Sequence, residues 1–262
     1  MKKRIAYLLM VMVVISCNNE KKQIHDAEIA KNDTLSFTYK TVQAAYTQKQ
    51  KMADTSSATI TYPEFDHKPL NEYIKRQVFD YFSPDEEATS YQDIANSFIS
   101  GYKDFAKESS DRNQTWYLNI NIHVLRQTHN YIAIAYNHED YAGGAHGNHY
   151  TAYLNYNLKN NKDISIDSLF DATQKAKLIA VAEGIFRKNE GLTPDALLTD
   201  NYFFEDGKFN LAKNFYMGQK GLIFLYNNYE IKPYVDGTTE LIVPFKAIKN
   251  IIKPNSLLST LL

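Results

Sequence analysis

The spacing of the apolar residues changes near residue 116, and this change limits the folds that the chain can adopt. From Trp116 to Val124, apolar residues alternate with polar ones such as Asn119. This period of two is typical of a strand with one buried and one solvated face. After a polar break at residues 127–130, alternation resumes at Tyr131–Tyr136, so we expect a hairpin of antiparallel strands.

Two segments with helical spacing precede these strands. Apolar side chains recur every three or four residues within residues 70–82 and again within residues 91–105, which indicates two amphipathic helices. Each broad apolar stripe needs a sheet to cover it. Together with further β-forming runs before and after them, the helices predict a first domain over residues 35–158. It would be an antiparallel sheet beneath two helices, of the α+β class.

A second, smaller domain is expected over residues 159–262. A polar turn at residues 160–163 opens it, and residues 172–189 repeat apolar side chains at helical spacing. Met217–Gly221 is a glycine-bearing connection between two short strands, which indicates a hairpin, and Glu240–Val243 predicts a last strand. The chain as a whole is therefore predicted to be α+β, with a helix-plus-hairpin second domain.

The amino terminus has the pattern of a secretory signal. Three basic residues at positions 2–4 precede an apolar run of eleven residues, Ile5–Ile15, whereas a bilayer-spanning helix needs roughly 20. Residues 14–17, Val-Ile-Ser-Cys, resemble the lipobox of bacterial lipoproteins. We therefore expect residues 1–16 to be a cleaved signal peptide.

The lipobox resemblance implies an acylated cysteine at the new amino terminus. Diacylglycerol and an acyl chain such as palmitate on Cys17 would hold the protein on a membrane, since two or three chains suffice for stable anchoring. Residues 17–34 are polar and unpatterned, which is typical of a tether. We expect a lipoprotein of the cell envelope, and Asn18 after the cysteine favours the outer membrane.

Composition and charge exclude several functions. Cys17 is the single cysteine, so once acylated it leaves no disulfide, cysteine zinc site or thiol nucleophile. Loss of the signal lowers the count of Lys and Arg from 29 to 26 against 30 Asp and Glu, a net charge of −4, which does not suit nucleic acid. The sequence contains no phosphate loop, serine elbow or His-Glu-x-x-His motif. We expect no cofactor and name no catalytic residue, and enzymatic activity stays an open question.

A glycine-rich turn is the first candidate binding segment. Gly143, Gly144 and Gly147 surround His146. Glycines permit positive φ and a close approach of backbone amides to a ligand, and the imidazole of His146 can donate to a sugar hydroxyl or amide. The residues alone favour the alternative, a tight turn whose histidine caps nearby backbone groups.

Three histidines around this turn raise the question of zinc. Imidazole and carboxylate groups are common zinc ligands, and His138, His146 and His149 have Glu139 and Asp140 beside them. Their spacings of eight and three residues across a glycine turn match no zinc motif. No metal site is therefore predicted.

Two stretches of the sequence carry a family resemblance. Residues 141–148, Tyr-Ala-Gly-Gly-Ala-His-Gly-Asn, with residues 153–158 and 167–170 after them, resemble the junction of a two-domain envelope module. Residues 221–234 and 241–245 resemble the signature of its second domain. This module of unknown function occurs in lysozyme-sensing anti-sigma factors, beside some polysaccharide deacetylases, and alone in many lipoproteins.

The resemblance implies a binding role and draws attention to a tyrosine loop. Tyr229, Glu230 and Tyr234 lie in the late motif, where Asn228 replaces the commonest residue, proline. They are the second candidate binding segment, unless the loop is only a well-packed connection. The resemblance implies a non-catalytic module that binds cell-wall glycan, such as peptidoglycan fragments, or a lysozyme-like wall hydrolase. The alternatives are a hydrolase or deacetylase acting on envelope sugars, and a structural partner of another envelope protein.

Overall fold

The computed structural model describes residues 34–47, 55–82, 88–108 and 114–261. The predicted signal peptide and Cys17 lie outside these residues. Residues 37–163 contain a sheet of six strands and two helices, here called the first unit. Its elements are β1 (Phe37–Thr47), β2 (Thr55–Phe65), α1 (Lys68–Phe82), α2 (Tyr91–Glu108), β3 (Tyr117–Gln127), β4 (Tyr131–Tyr141), β5 (Asn148–Asn157) and β6 (Lys162–Asp163).

The strands of this sheet lie in the order in which they occur along the chain. Neighbouring strands pair antiparallel, with one exception, since β2 and β3 run parallel between Ser57 and Thr61 on β2 and Tyr117 and Asn121 on β3. A parallel neighbour requires a long crossover connection, and α1 and α2 supply it here. The α+β prediction is confirmed, and the sheet departs from a purely antiparallel one at this single pair among the strands described.

The rest of the described chain forms the second unit. A three-stranded antiparallel sheet packs against a long helix, as expected from the hairpin and the helical spacing. Its elements are α3 (Ile166–Leu169), α4 (Ala172–Asn189), β7 (Phe215–Met217), β8 (Gly221–Tyr226), β9 (Thr239–Pro244) and α5 (Phe245–Ile248). Asp171 caps α4, because its carboxylate accepts from the backbone N–H of Gln174, whose side chain bonds back to the Asp171 N–H.

Strand β4 is buried on both faces, which the alternating pattern did not suggest. Ile132 and Ile134 face the core under α1 and α2. Tyr131 and Ala133 point to the opposite face and join the core of the second unit. The second unit therefore covers the sheet face that a two-layer domain would leave in water, while Asn119 on β3 stays exposed as predicted.

The boundary between the two units follows the chain only approximately. The short strand β6 lies in the predicted second domain, yet it pairs with β5 at Asn157 and Lys162. The domain limits at residues 158 and 159 stay a prediction. Over the described ranges, no helix combines the length and the hydrophobicity that crossing a bilayer requires.

Candidate binding site at the glycine turn and the tyrosine loop

The glycine turn connects β4 to β5, and its backbone explains its glycines. Gly143 and Gly144 have φ values of 97° and 103°, a region that side-chain-bearing residues rarely adopt. At Gly147 a Cβ atom would lie 2.8 Å from the hydroxyl of Tyr117 and 2.9 Å from the carbonyl of Asp140. Glycine therefore meets a conformational or steric requirement at these three positions.

His146 lies at the surface of this turn and contacts the tyrosine loop. Its Nδ1 donates to the carbonyl oxygen of Gly147 at 2.9 Å, which leaves Nε2 as the acceptor in the neutral ring. The imidazole stacks on the ring of Tyr234, with centroids 4.1 Å apart and planes inclined by 20°. The hydroxyl of Tyr229 lies 3.4 Å from Nε2. The two candidate segments, predicted separately, thus meet in space.

The tyrosine loop, residues 227–238 between β8 and β9, is held in place by its own polar groups. The Tyr234 hydroxyl donates to the carbonyl of Gly147 at 3.0 Å, and the Asn228 amide donates to the carbonyl of Tyr234 at 3.2 Å. Tyr229 has a φ of 68° and exposes 58% of its surface. We call His146, Tyr229 and Tyr234 the aromatic platform.

Two asparagines that sequence reasoning missed fasten the second unit to the edge of β5. Asn227 accepts from the backbone N–H of Thr151 at 2.8 Å and donates to its carbonyl at 3.0 Å. Asn214 donates to the same carbonyl at 2.6 Å and accepts from the N–H of Tyr153 at 2.7 Å. These amides take the place of a neighbouring strand along this stretch of β5. Their sequence signal is weak: one asparagine lies just before β7 and the other just after β8.

Glu230 does not belong to the platform. Although it follows Tyr229 directly, it lines a cleft on the other side of the loop, together with Tyr150 and Phe203. Burial and the nearby charge of Glu230 raise the pKa of Tyr150. Tyr229, Glu230 and Tyr234, predicted as one binding segment, therefore lie on two different surfaces.

The three histidines have separate partners. His138 is buried between the Tyr136 hydroxyl, 3.0 Å from its Nδ1, and a carboxylate oxygen of Asp140, 2.6 Å from its Nε2. His149 lies 3.7 Å from Glu139. In the portion of the chain with described coordinates, no group of three His, Cys, Asp or Glu side chains could hold a metal ion.

The hydrogen bond between His138 and Asp140 lies at the base of the turn. Burial opposes ionisation of Asp140, but hydrogen bonds from His138 and Asn148 outweigh it, so the pKa of this carboxyl lies below its usual value. Asn148 donates to Asp140 at 3.2 Å from the first residues of β5. The Asp140 carboxylate on β4 and the Asn148 amide on β5 therefore tie both ends of the glycine turn together.

Comparison with known proteins finds a different family match for the front and the back of the chain. Residues 31–149 match the family described as Deacetylase PdaC, and residues 167–246 match the family described as Protein of unknown function (DUF3298). The front of the chain is thus similar to the PdaC family and the back to DUF3298, and the resemblance seen in the sequence is confirmed.

One curated relative and two solved structures place this module among known proteins. The chain is 24% identical over 203 residues to the peptidoglycan-N-acetylmuramic acid deacetylase PdaC of Bacillus subtilis, and the match covers 76% of the chain but 39% of that relative. A DUF3298 family member from Bacteroides fragilis has a TM-score of 0.69 at 22% identity, covering 88% of this chain and 99% of that one. A DUF3298 family protein from Pseudomonas aeruginosa has a TM-score of 0.64 at 18% identity, covering 85% and 96%. At these identities the solved structures show the shared fold.

Proposed function

We propose that this protein is a non-catalytic binding module of the cell envelope. Its ligand is either wall glycan or a lysozyme-like enzyme that cuts wall glycan. The observation that carries the proposal is the aromatic platform. Its rings come from segments 83 residues apart, and these two segments are the ones that carry the family resemblance. His146 and Tyr229 remain exposed there.

The chemistry of the platform suits a sugar or a protein surface. Aromatic rings offer flat apolar area to the C–H face of a sugar or to an apolar side chain, and a phenol adds a polar group at the edge. The hydrogen bonds of Tyr234 and Asn228 hold the loop in one arrangement, so little conformational entropy is lost on binding. Rigid, exposed tyrosines are also frequent anchors of protein interfaces.

The contacts of His146 favour binding over catalysis. A hydrolase or deacetylase that used this histidine would place it beside a carboxylate. His146 instead contacts a carbonyl, a phenol hydroxyl and a tyrosine ring. The similarity to PdaC keeps a deacetylase as the second candidate, but the chain spans about two fifths of that enzyme's length. The deacetylase hypothesis predicts that the protein releases acetate from peptidoglycan fragments and that His146→Ala abolishes this release.

Calorimetry with the purified protein tests the leading proposal. We expect binding of peptidoglycan fragments or of lysozyme, and Tyr229→Ala to weaken it about tenfold or more, a loss of about 1.4 kcal/mol or more. Tyr39→Ala is the matched control, because Tyr39 is 50% exposed on β1 and does not belong to the platform. Binding of neither partner at high micromolar concentration, or equal losses in both variants, would refute a role for the platform.

We also propose that lipid on Cys17 holds the module at a membrane surface of the envelope, with residues 17–34 providing reach. The sequence pattern of the leader supports this placement. Mass spectrometry of the mature protein tests it. A first residue Cys17 with diacylglycerol on its sulfur is expected, and an intact Met1 or a free thiol would overturn the placement.

A further inference from the structure

A second concave surface lies between the two units, away from the rings of the platform. It is a cleft of about 510 Å³, within the roughly 300–1,000 Å³ that small-molecule sites commonly have. Tyr150 and Tyr153 of β5 form one wall, and the segment from Phe203 to Asn214 forms the other. Phe203 exposes 56% of its surface there.

The borders of this cleft are fixed by hydrogen bonds that need no ligand. Asn214 bonds to the backbone of β5, as described above. The N–H of Phe203 donates to the carbonyl of Ile231 at 3.0 Å. The hydroxyl of Tyr226 donates to the carbonyl of Asn210 at 2.6 Å. Because its walls are tied to both units, the cleft is a preformed cavity.

Three charged side chains line the cleft, and none of them forms an ion pair within the described residues. They are Glu205, Glu230 and Lys213, all exposed. The single hydrogen bond of the Glu230 carboxylate among these residues is a long one, 3.5 Å from the Asn227 amide. Nearby charges behave differently, since Lys232 and Glu190 pair at 2.7 Å. The carboxylates and the ammonium of the cleft are therefore free to bind charges of a ligand.

We propose that the cleft is a second binding site, for a saccharide unit that carries both a free amino group and a carboxylate. Glu205 and Glu230 bind the ammonium of this sugar through charge-assisted hydrogen bonds, and Lys213 binds its carboxylate. The rings of Tyr150 and Phe203 pack against the sugar face. This site goes beyond the platform, because the two share a loop but no ring.

Four monosaccharides that differ in their charged groups test whether the site binds an amine, a carboxylate or both. Muramic acid carries an amine and a carboxylate, N-acetylmuramic acid the carboxylate alone, glucosamine the amine alone, and N-acetylglucosamine neither. In ligand-observed NMR titrations of the full-length protein near neutral pH, we expect muramic acid to bind at least about tenfold tighter than the other three. No saturable binding of muramic acid at millimolar concentration, or equal affinity for all four sugars, would overturn the proposal.

Variants of Glu230 and Lys213 test which charge of the sugar each side chain binds. Glu230→Gln is expected to weaken muramic acid binding about five- to tenfold and to leave N-acetylmuramic acid unchanged, because only the former has an ammonium. Lys213→Met is expected to abolish the preference for muramic acid over glucosamine. Lys246→Gln, an exposed charge on α5 outside the cleft, is the control. If neither cleft variant changes the affinity for muramic acid, the site is wrong.

A variant of the aromatic platform, Tyr229→Ala, distinguishes a failure of the cleft proposal from a failure of the proposed function. Tyr229→Ala removes a platform ring and leaves Glu205, Glu230 and Lys213 in place. It is expected to leave the affinity for muramic acid within about twofold of the unmodified protein. A loss of tenfold in this variant would show that the sugar binds the platform and would refute a separate cleft site.

Discussion

The residues of the candidate site show how far local pattern predicts a surface. The sequence indicated His146, Tyr229 and Tyr234, because glycines around a histidine and tyrosines in a polar loop are visible locally. It also grouped Glu230 with Tyr229, and the structure separates them. Tyr229 has a φ of 68° in a turn closed by the bond from the Glu230 N–H to the Asn227 carbonyl, and Glu230 lines the cleft. A left-handed residue of this kind is not evident from its identity, since tyrosine rarely adopts it.

Two glycines with opposite surroundings give a prediction at the residue scale. At Gly221 on β8, a Cβ atom would overlap the carbonyl of Val243 and lie 2.9 Å from the Cα of Pro244. At Gly184 in α4, a Cβ atom would meet nothing within 4 Å. We expect Gly221→Ala to destabilise the protein by about 1–3 kcal/mol through overpacking. Gly184→Ala should stabilise it by about 0.5–1 kcal/mol, because alanine favours the helix.

Urea unfolding of the two variants measures both effects. The pair controls for the substitution itself, since each adds one methyl group to a glycine. Similar free energies of unfolding for Gly221→Ala and Gly184→Ala would contradict the close contact between β8 and β9.

At the scale of elements, periodicity located most helices and strands. Residues 172–189 were predicted as a helix, and α4 has those bounds, because its apolar stripe and polar face are both continuous. The pairing of β2 with β3 was not predictable in the same way. A hydrophobic period shows that a strand has a buried face, but it does not determine the neighbour or its direction. The crossover through α1 and α2 makes the parallel direction possible.

At the scale of the whole molecule, one buried polar network joins the two sheets. The Tyr131 hydroxyl donates to Asn155 at 2.7 Å and accepts from the backbone N–H of Met217 at 2.9 Å. The Asn155 amide donates to the carbonyl of Phe215 at 2.6 Å. Arg126 on β3 adds donors to the carbonyls of Met217 and Leu261, each at 3.2 Å. The second unit therefore packs on the first through satisfied polar groups as well as apolar contact.

Tyr131→Phe tests this network. The substitution keeps the ring and removes the hydroxyl, which leaves Asn155 and the N–H of Met217 without this partner in a buried region. We expect a loss of about 1–3 kcal/mol in the free energy of unfolding, measured by denaturant titration. Tyr46→Phe is the control, because no hydrogen bond of its hydroxyl occurs within the described chain, and its effect should stay within about 0.5 kcal/mol. Equal effects of the two substitutions would show that the network contributes nothing to stability.

The sequence by itself determined the α+β class, the positions of most elements and the two segments that form the platform. These properties depend on which face of a short segment is apolar, and that information is local. The tertiary structure alone decided that both faces of β4 are buried, that Asn214 and Asn227 cover the edge of β5, and that a charged cleft lies between the units. Each of these depends on contacts between residues far apart in the chain. Side-chain direction and docking geometry determine such partners, whereas the local spacing of apolar residues does not.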